Sequence, residues 1–244
     1  MKYRIDKDET REIGGHKVFR VYAASDFTTA DGREIKKGTR GGWVESERNL
    51  EQNGRCWIAD EAAAINNASV FGDALVADKA LVYDYASVGG KAVVADEAAV
   101  FGAATVQESA TVAGSARVFG NATVGGNALV KNATVGGYAL VLDRAKVLDS
   151  SFVREDARVY GEAVISGHSG VYGRACVYDE AKVFNSAQVY NDARVYGKAC
   201  AHTGANIYGR ALVFNDAVVG KCARVCGDAM LCKGEACGEW VELQ

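Results

Sequence analysis

Three histidines, His16, His168 and His202, are the side chains of this sequence best suited to move a proton near neutral pH. His16 adjoins a Gly14-Gly15 turn, where a surface role is expected. Four cysteines come late, Cys222, Cys226, Cys232 and Cys237, and their Cys-x3-Cys-x5-Cys-x4-Cys spacing fits no common zinc pattern. No metal site is expected from them. The total of 7 cysteines is odd, and with no secretion signal it reads as free thiols in a reducing compartment. No nucleotide-binding loop, Ser-His-Asp elbow or HExxH-like pair is present. Acid pairs such as Glu155-Asp156 and Asp179-Glu180 read as solvated turn residues.

What must hold these side chains is a single period. Ala recurs every six residues from Ala62 to Ala128, one residue is lost between Ala128 and Ala133, and the period resumes to Ala229 with Ser151 and Ser169 as substitutes. This gives 12 hexads in the first phase and 17 in the second, of the form Ala-x-Val-x-(Gly/Asp/Asn)-x. Residues two apart in a strand face the same way, so Ala and Val share a core and the residue between them faces out. The fifth position carries residue types that tolerate left-handed backbone, as at Gly72, Asp78, Asp84 and Gly90. Each hexad is then one short strand and one corner. Apolar spacing of two then four residues makes no helical stripe, and a period of six excludes pentapeptide repeats.

Three hexads close a triangular coil of 18 residues, which predicts an all-β parallel β-helix of about ten coils. The absence of proline among 244 residues agrees, because proline would delete an inter-coil hydrogen bond at almost any position. Residues 1–55 read as an N-terminal β-hairpin cap, 56–234 as the β-helix and 235–244 as a C-terminal cap or tail. Trp43 and Trp57 are large enough to plug one open end, and Trp240 the other.

The period also sorts the outward residues. His168 and His202 fall on the corner between the third and first faces, about 10 Å apart along the axis, where the lost residue at Lys131-Asn132 also lies. The third face displays Leu75, Val93, Leu129, Val164 and Val218, a mainly apolar strip expected to pack against another copy of the chain as a dimer or trimer. Tyr172, Tyr190 and Tyr208 form one corner ladder and Tyr160, Tyr178 and Tyr196 another, candidates for binding planar ligands or sugars, although packing against one another is the commoner use. Asp156, Arg174, Asp192, Arg210 and Asp228 alternate in sign, one per coil, which suits register rather than catalysis. A net charge of -3 with no basic run argues against nucleic acid and anionic membrane surfaces, and a cytoplasmic location is expected.

The hexads resemble the transferase hexapeptide repeat, a family of left-handed parallel β-helices that includes many CoA-dependent acyltransferases. The left hand is implied by this resemblance alone. The segment GTRGGWVESERNLEQNGRCWIADEA, from Gly38 to Ala62, is similar to the entry segment of uncharacterised hexapeptide-repeat proteins of enterobacteria and of phages or prophages, some of them labelled acetyltransferases. The family's enzymes use a histidine as general base in a groove between subunits, with CoA lying along the coils and a loop closing over the substrate. Here the register runs from Ala133 to Ala229 without an insertion, so no loop is expected to wall a pocket. The first expectation is therefore a non-catalytic rigid scaffold of phage or prophage origin that needs no cofactor and binds a host protein or small molecule. The alternative is an acyltransferase using acetyl-CoA as substrate and His168 or His202 as base.

Overall fold

The computed structural model describes residues 1–238 and the backbone of 240–243. The side chain of Trp240, expected as the second plug, lies outside the described residues. The chain divides into two compact units, Met1–Asn121 and Ala122–Gln244.

The first unit begins with a hairpin. Tyr3–Ile13 pairs antiparallel with His16–Ala23, and Gly14 and Gly15 take φ of 58° and 83° between them, the backbone that a two-residue hairpin turn requires. His16–Ala23 pairs in turn with Arg40–Val44, which runs parallel to Ala63–Ala64 in the first coil, so the hairpin is joined to the coil by backbone. Arg20 fastens this junction. It is 1% exposed, donates to the carbonyls of Gly41 and Asp60 at 2.8 and 2.7 Å and to Glu61 Oε1 at 2.9 Å, and lies 3.7 Å from the ring centre of Trp43. A buried guanidinium is tolerable only with its donors so satisfied. Trp43 and Trp57 are both buried at this end, Trp57 with its ring edge-on to Phe27.

In both units the hexads form parallel ladders at 18-residue offsets, for example Leu81 to Ala99, Ser87 to Thr105 and Val93 to Thr111. Across the one-residue loss the offset falls to 17, as in Leu129 to Lys146. The Ala and Val positions are buried throughout, each valine contributing about 1.5–2 kcal/mol of apolar burial. On the third face the first unit carries four strands, Trp57–Ile58 to Thr111–Ala113, and the second seven, Leu129–Lys131 to Glu235–Cys237. The resulting 11 turns exceed the count from hexads because Trp57–Ile58 and Glu235–Cys237 pair into this face without the Ala-x-Val pattern.

The corners explain the acidic fifth positions. Asp78 and Asp96 adopt φ of 60° and 61°, and each carboxylate accepts the N–H of the equivalent residue one coil on: Asp96 N donates to Asp78 Oδ2 at 3.1 Å and Gly114 N to Asp96 Oδ2 at 2.7 Å. Aspartate therefore supplies both a tolerated left-handed conformation and a cap. The 3-10 turn Glu47–Asn49 is the one helical element among the described residues, and no helix is long and apolar enough to cross a membrane.

Candidate functional site

In the second unit the corner after the third face is built differently from the other corners. Two consecutive residues are left-handed in each coil: Asp149-Ser150, Gly167-His168, Asn185-Ser186, Thr203-Gly204 and Lys221-Cys222, all with φ between 49° and 71°. The second left-handed residue turns its N–H back to the preceding coil. His168 N donates to Asp149 O at 3.2 Å, Ser186 N to Gly167 O at 2.9 Å and Cys222 N to Thr203 O at 2.9 Å. At ordinary corners the bond runs forward instead, as from Lys79 N to Asp96 O at 2.8 Å. The run of paired residues begins one coil after the five-residue step at Lys131-Asn132, where Asn132 alone is left-handed. The Ser151 and Ser169 substitutions belong to this corner: each hydroxyl is buried and donates to a carbonyl of its own turn, Leu148 O and Ser166 O, at 2.6 Å.

The turn geometry opens a groove of about 460 Å³ along the corner, lined by His168, Asn185, Ser186, Thr203, Gly204 and Cys222. This concavity is shallow and open to solvent, so the unbroken register leaves a surface groove edged by repeated two-residue turns and no enclosed pocket.

His168 is the exposed second left-handed residue of its coil, and His202 stands half-buried at the fourth hexad position two coils on. The imidazole of His202 is held on three sides. It stacks on Phe184 with ring centres 5.3 Å apart and planes 16° from parallel, and its Nδ1 lies 2.8 Å from Thr203 Oγ1, a groove-lining hydroxyl. It also covers the backbone of Gly220, where an added Cβ would meet His202 Cε1 at 2.6 Å and Nε2 at 2.7 Å. Glu235 is within electrostatic reach of the same ring, and its carboxyl is held below the usual range mainly by the Cys237 thiol, which donates to Oε1 at 2.7 Å, and then by Lys221. The same contact pushes the Cys237 thiol up. Phe184, Thr203 and Gly220 carry no sequence motif; Thr203 adjoins His202, and only an 18-residue relation to His202 singles out Phe184 and Gly220.

His16 belongs to the hairpin of the first unit, where Nδ1 is 3.5 Å from Glu45 Oε1 and Nε2 is 3.2 Å from Asn66 Nδ2. The two tyrosine ladders stack face to face, Tyr172, Tyr190 and Tyr208 at 5.0 Å and Tyr160, Tyr178 and Tyr196 at 4.9 Å, so both faces of Tyr190 and Tyr178 are occupied by neighbouring rings. The alternating column resolves into Arg174 to Asp192 and Arg210 to Asp228 pairs. On the third face Leu75 is buried, while Val93 in the first unit and Leu129, Val164 and Val218 in the second are half-buried. All 7 cysteines are free, and among the described residues no three His, Cys, Asp or Glu side chains gather as a metal site.

Residues 187–202 and 205–221, which include His202 and Gly220, match the family described as YdcK Beta solenoid repeat. The chain is also 35% identical over 81 residues to the Uncharacterized acetyltransferase YdcK of Escherichia coli (strain K12). That alignment covers 30% of this chain and 22% of the relative, so the chain spans about a fifth of the relative's length. The protein is accordingly a hexapeptide-repeat β-solenoid related to YdcK-like proteins. The expectation of a strictly non-catalytic scaffold is corrected by this similarity, because the relative that shares the repeats is named for a catalytic activity.

Proposed function

We propose that the protein is a CoA-dependent acyltransferase that moves an acetyl group from acetyl-CoA to a hydroxyl or amine acceptor, with His202 as general base. The observation that carries this reading is the clamped imidazole: stacked on Phe184, seated over Gly220 and tied through Nδ1 to Thr203 beside the corner groove. With the Nδ1 proton donated to Thr203 Oγ1, the Nε2 lone pair is free to take a proton. The acceptor oxygen or nitrogen attacks the thioester carbonyl as His202 Nε2 removes its proton. Collapse of the tetrahedral intermediate breaks the carbon–sulfur bond, and the imidazolium returns the proton to the leaving CoA sulfur. Asn185, which lines the groove, supplies an amide donor for the oxyanion. His168, on the wall of the same groove, is placed to contact the acceptor rather than to act as base.

Isothermal titration with acetyl-CoA tests the substrate. Saturable binding in the micromolar to millimolar range, retained in the His202→Ala variant, is expected; no heat at about 10 mM acetyl-CoA contradicts the reading. Assembly as a dimer or trimer through the third face belongs to the same proposal. A Val164→Glu variant should then be monomeric by light scattering at concentrations where the unaltered chain is not.

A further inference from the structure

On the second face of the second unit, away from the histidine corner, Arg158, Cys176 and Arg194 stand in register on three successive coils. They form the floor of a groove of about 420 Å³, walled by Tyr160 and Tyr178 and closed at one end by Leu140 and Leu142. Neither arginine has an ion-pair partner among the described residues, although Arg144, Arg174 and Arg210 of the same unit pair with Glu162, Asp192 and Asp228. Asp179 is the carboxylate that acts on both tyrosines, and its Oδ2 already accepts the Gly197 N–H at 3.2 Å. Both guanidinium charges reach the tyrosine wall: Arg194 acts on Tyr160 and Tyr178, and Arg158 on Tyr160.

We propose that this groove binds a phosphate-class dianion, a phosphomonoester with a short carbon body. Two like charges left unpaired two rungs apart, about 10 Å between backbones, together raise the positive potential of the groove and favour an anion lying between them. Cys176, small and half-buried, leaves room above the middle rung for both guanidinium groups to converge. A planar carboxylate presents its two oxygens to one arginine fork, whereas a tetrahedral phosphate presents oxygens on opposite sides and satisfies both. Tyr178 is stacked on both faces, by Tyr160 and Tyr196, each 4.9 Å away and 1° from parallel, so this ring offers its hydroxyl and edge rather than a platform for a base. Leu140 and Leu142 fit the carbon end of the ester. The site is independent of the acyl-transfer reading, since it shares no residue with the histidine corner.

The test is calorimetric titration of the full chain with inorganic phosphate, glycerol 3-phosphate and succinate. Glycerol 3-phosphate should bind more tightly than inorganic phosphate, and each of Arg158→Gln and Arg194→Gln should weaken it about tenfold or more. Arg174→Gln, which removes a paired arginine from another corner, should leave binding within about twofold. Circular dichroism melts of each variant identify any that fail to fold, and Arg158→Lys provides a second probe, retaining charge but losing the fork. The proposal is overturned if succinate binds as tightly as the phosphates, if no phosphate binds, or if binding is unchanged in both folded arginine variants.

Discussion

The first unit turns the corner after its third face on one left-handed residue per coil, and the second unit, from Asp149 to Cys222, turns it on two. In the first, Asp78 and Asp96 cap the next coil through their carboxylates, and the sixth-position residues Lys79 and Glu97 send their N–H groups forward. In the second, that N–H points back and the residue bearing it, His168 or Cys222, stands on the wall of a groove. Both arrangements use six residues and leave the Ala-Val core equally buried. A turn can therefore be rebuilt to hold reactive side chains while the ladder that supports it is untouched, and the absence of a loop says little about the absence of a site.

Exchanging side chains between the two kinds of corner should break the comparison most sharply. Gly204 has φ of 71°, so Gly204→Val forces a β-branched residue into left-handed backbone and should cost about 2 kcal/mol in denaturant melts. Glu97→Val, at the equivalent sixth position of the first unit, should cost less than about 0.5 kcal/mol, since that residue is not left-handed. Equal losses would mean that the two corners are not distinct in solution. A smaller effect is expected at Gly220. Its missing Cβ makes room for the imidazole, so Gly220→Ala should displace His202 and lower kcat about tenfold with KM nearly unchanged.

The smallest effect concerns the hairpin junction of the first unit. The Glu61 carboxyl is held below the usual carboxylate range, first by the Trp43 indole N–H and then by Arg20. A lowered folded pKa means that this stabilisation is present above the unfolded value near 4.3 and is lost as pH falls through the folded one. Because the side chain is 46% exposed, screening limits it to about 1 kcal/mol or less. Glu61→Gln should thus lower the melting temperature slightly at pH 7 and not at pH 2; an equal loss at both would point to packing alone.

Much of this architecture is legible as sequence. Ala62 to Ala229 recites the coil, the lost residue before Ala133 marks where the corner changes, and the six-residue step puts His168 and His202 on that corner. The flip of the peptide at the corner is not legible. Lys, Glu, Ser, His, Gly and Cys all occupy sixth positions, and residue type does not separate Ser115, which is not left-handed, from Ser186, which is. The backward bond is made coil upon coil, so the conformation belongs to the stack rather than to any one hexad. The clamp on His202 is hidden for the same reason: Phe184 and Gly220 reach it only through neighbouring coils, each 18 residues away. The arginine groove is not legible in the sequence because Arg158 and Arg194 occupy ordinary outward positions, and only the lack of an ion-pair partner among the described residues sets them apart.

The most direct measurement of the central claim is CoA release from acetyl-CoA, followed with a thiol reagent across a panel of hydroxyl and amine acceptors, for the unaltered chain and for His202→Ala and His168→Ala. The account predicts acceptor-dependent release that falls about 10²–10⁴-fold in His202→Ala, with acetyl-CoA still bound, and a much smaller loss in His168→Ala. Acceptor-dependent release that persists at the full rate in His202→Ala would contradict it.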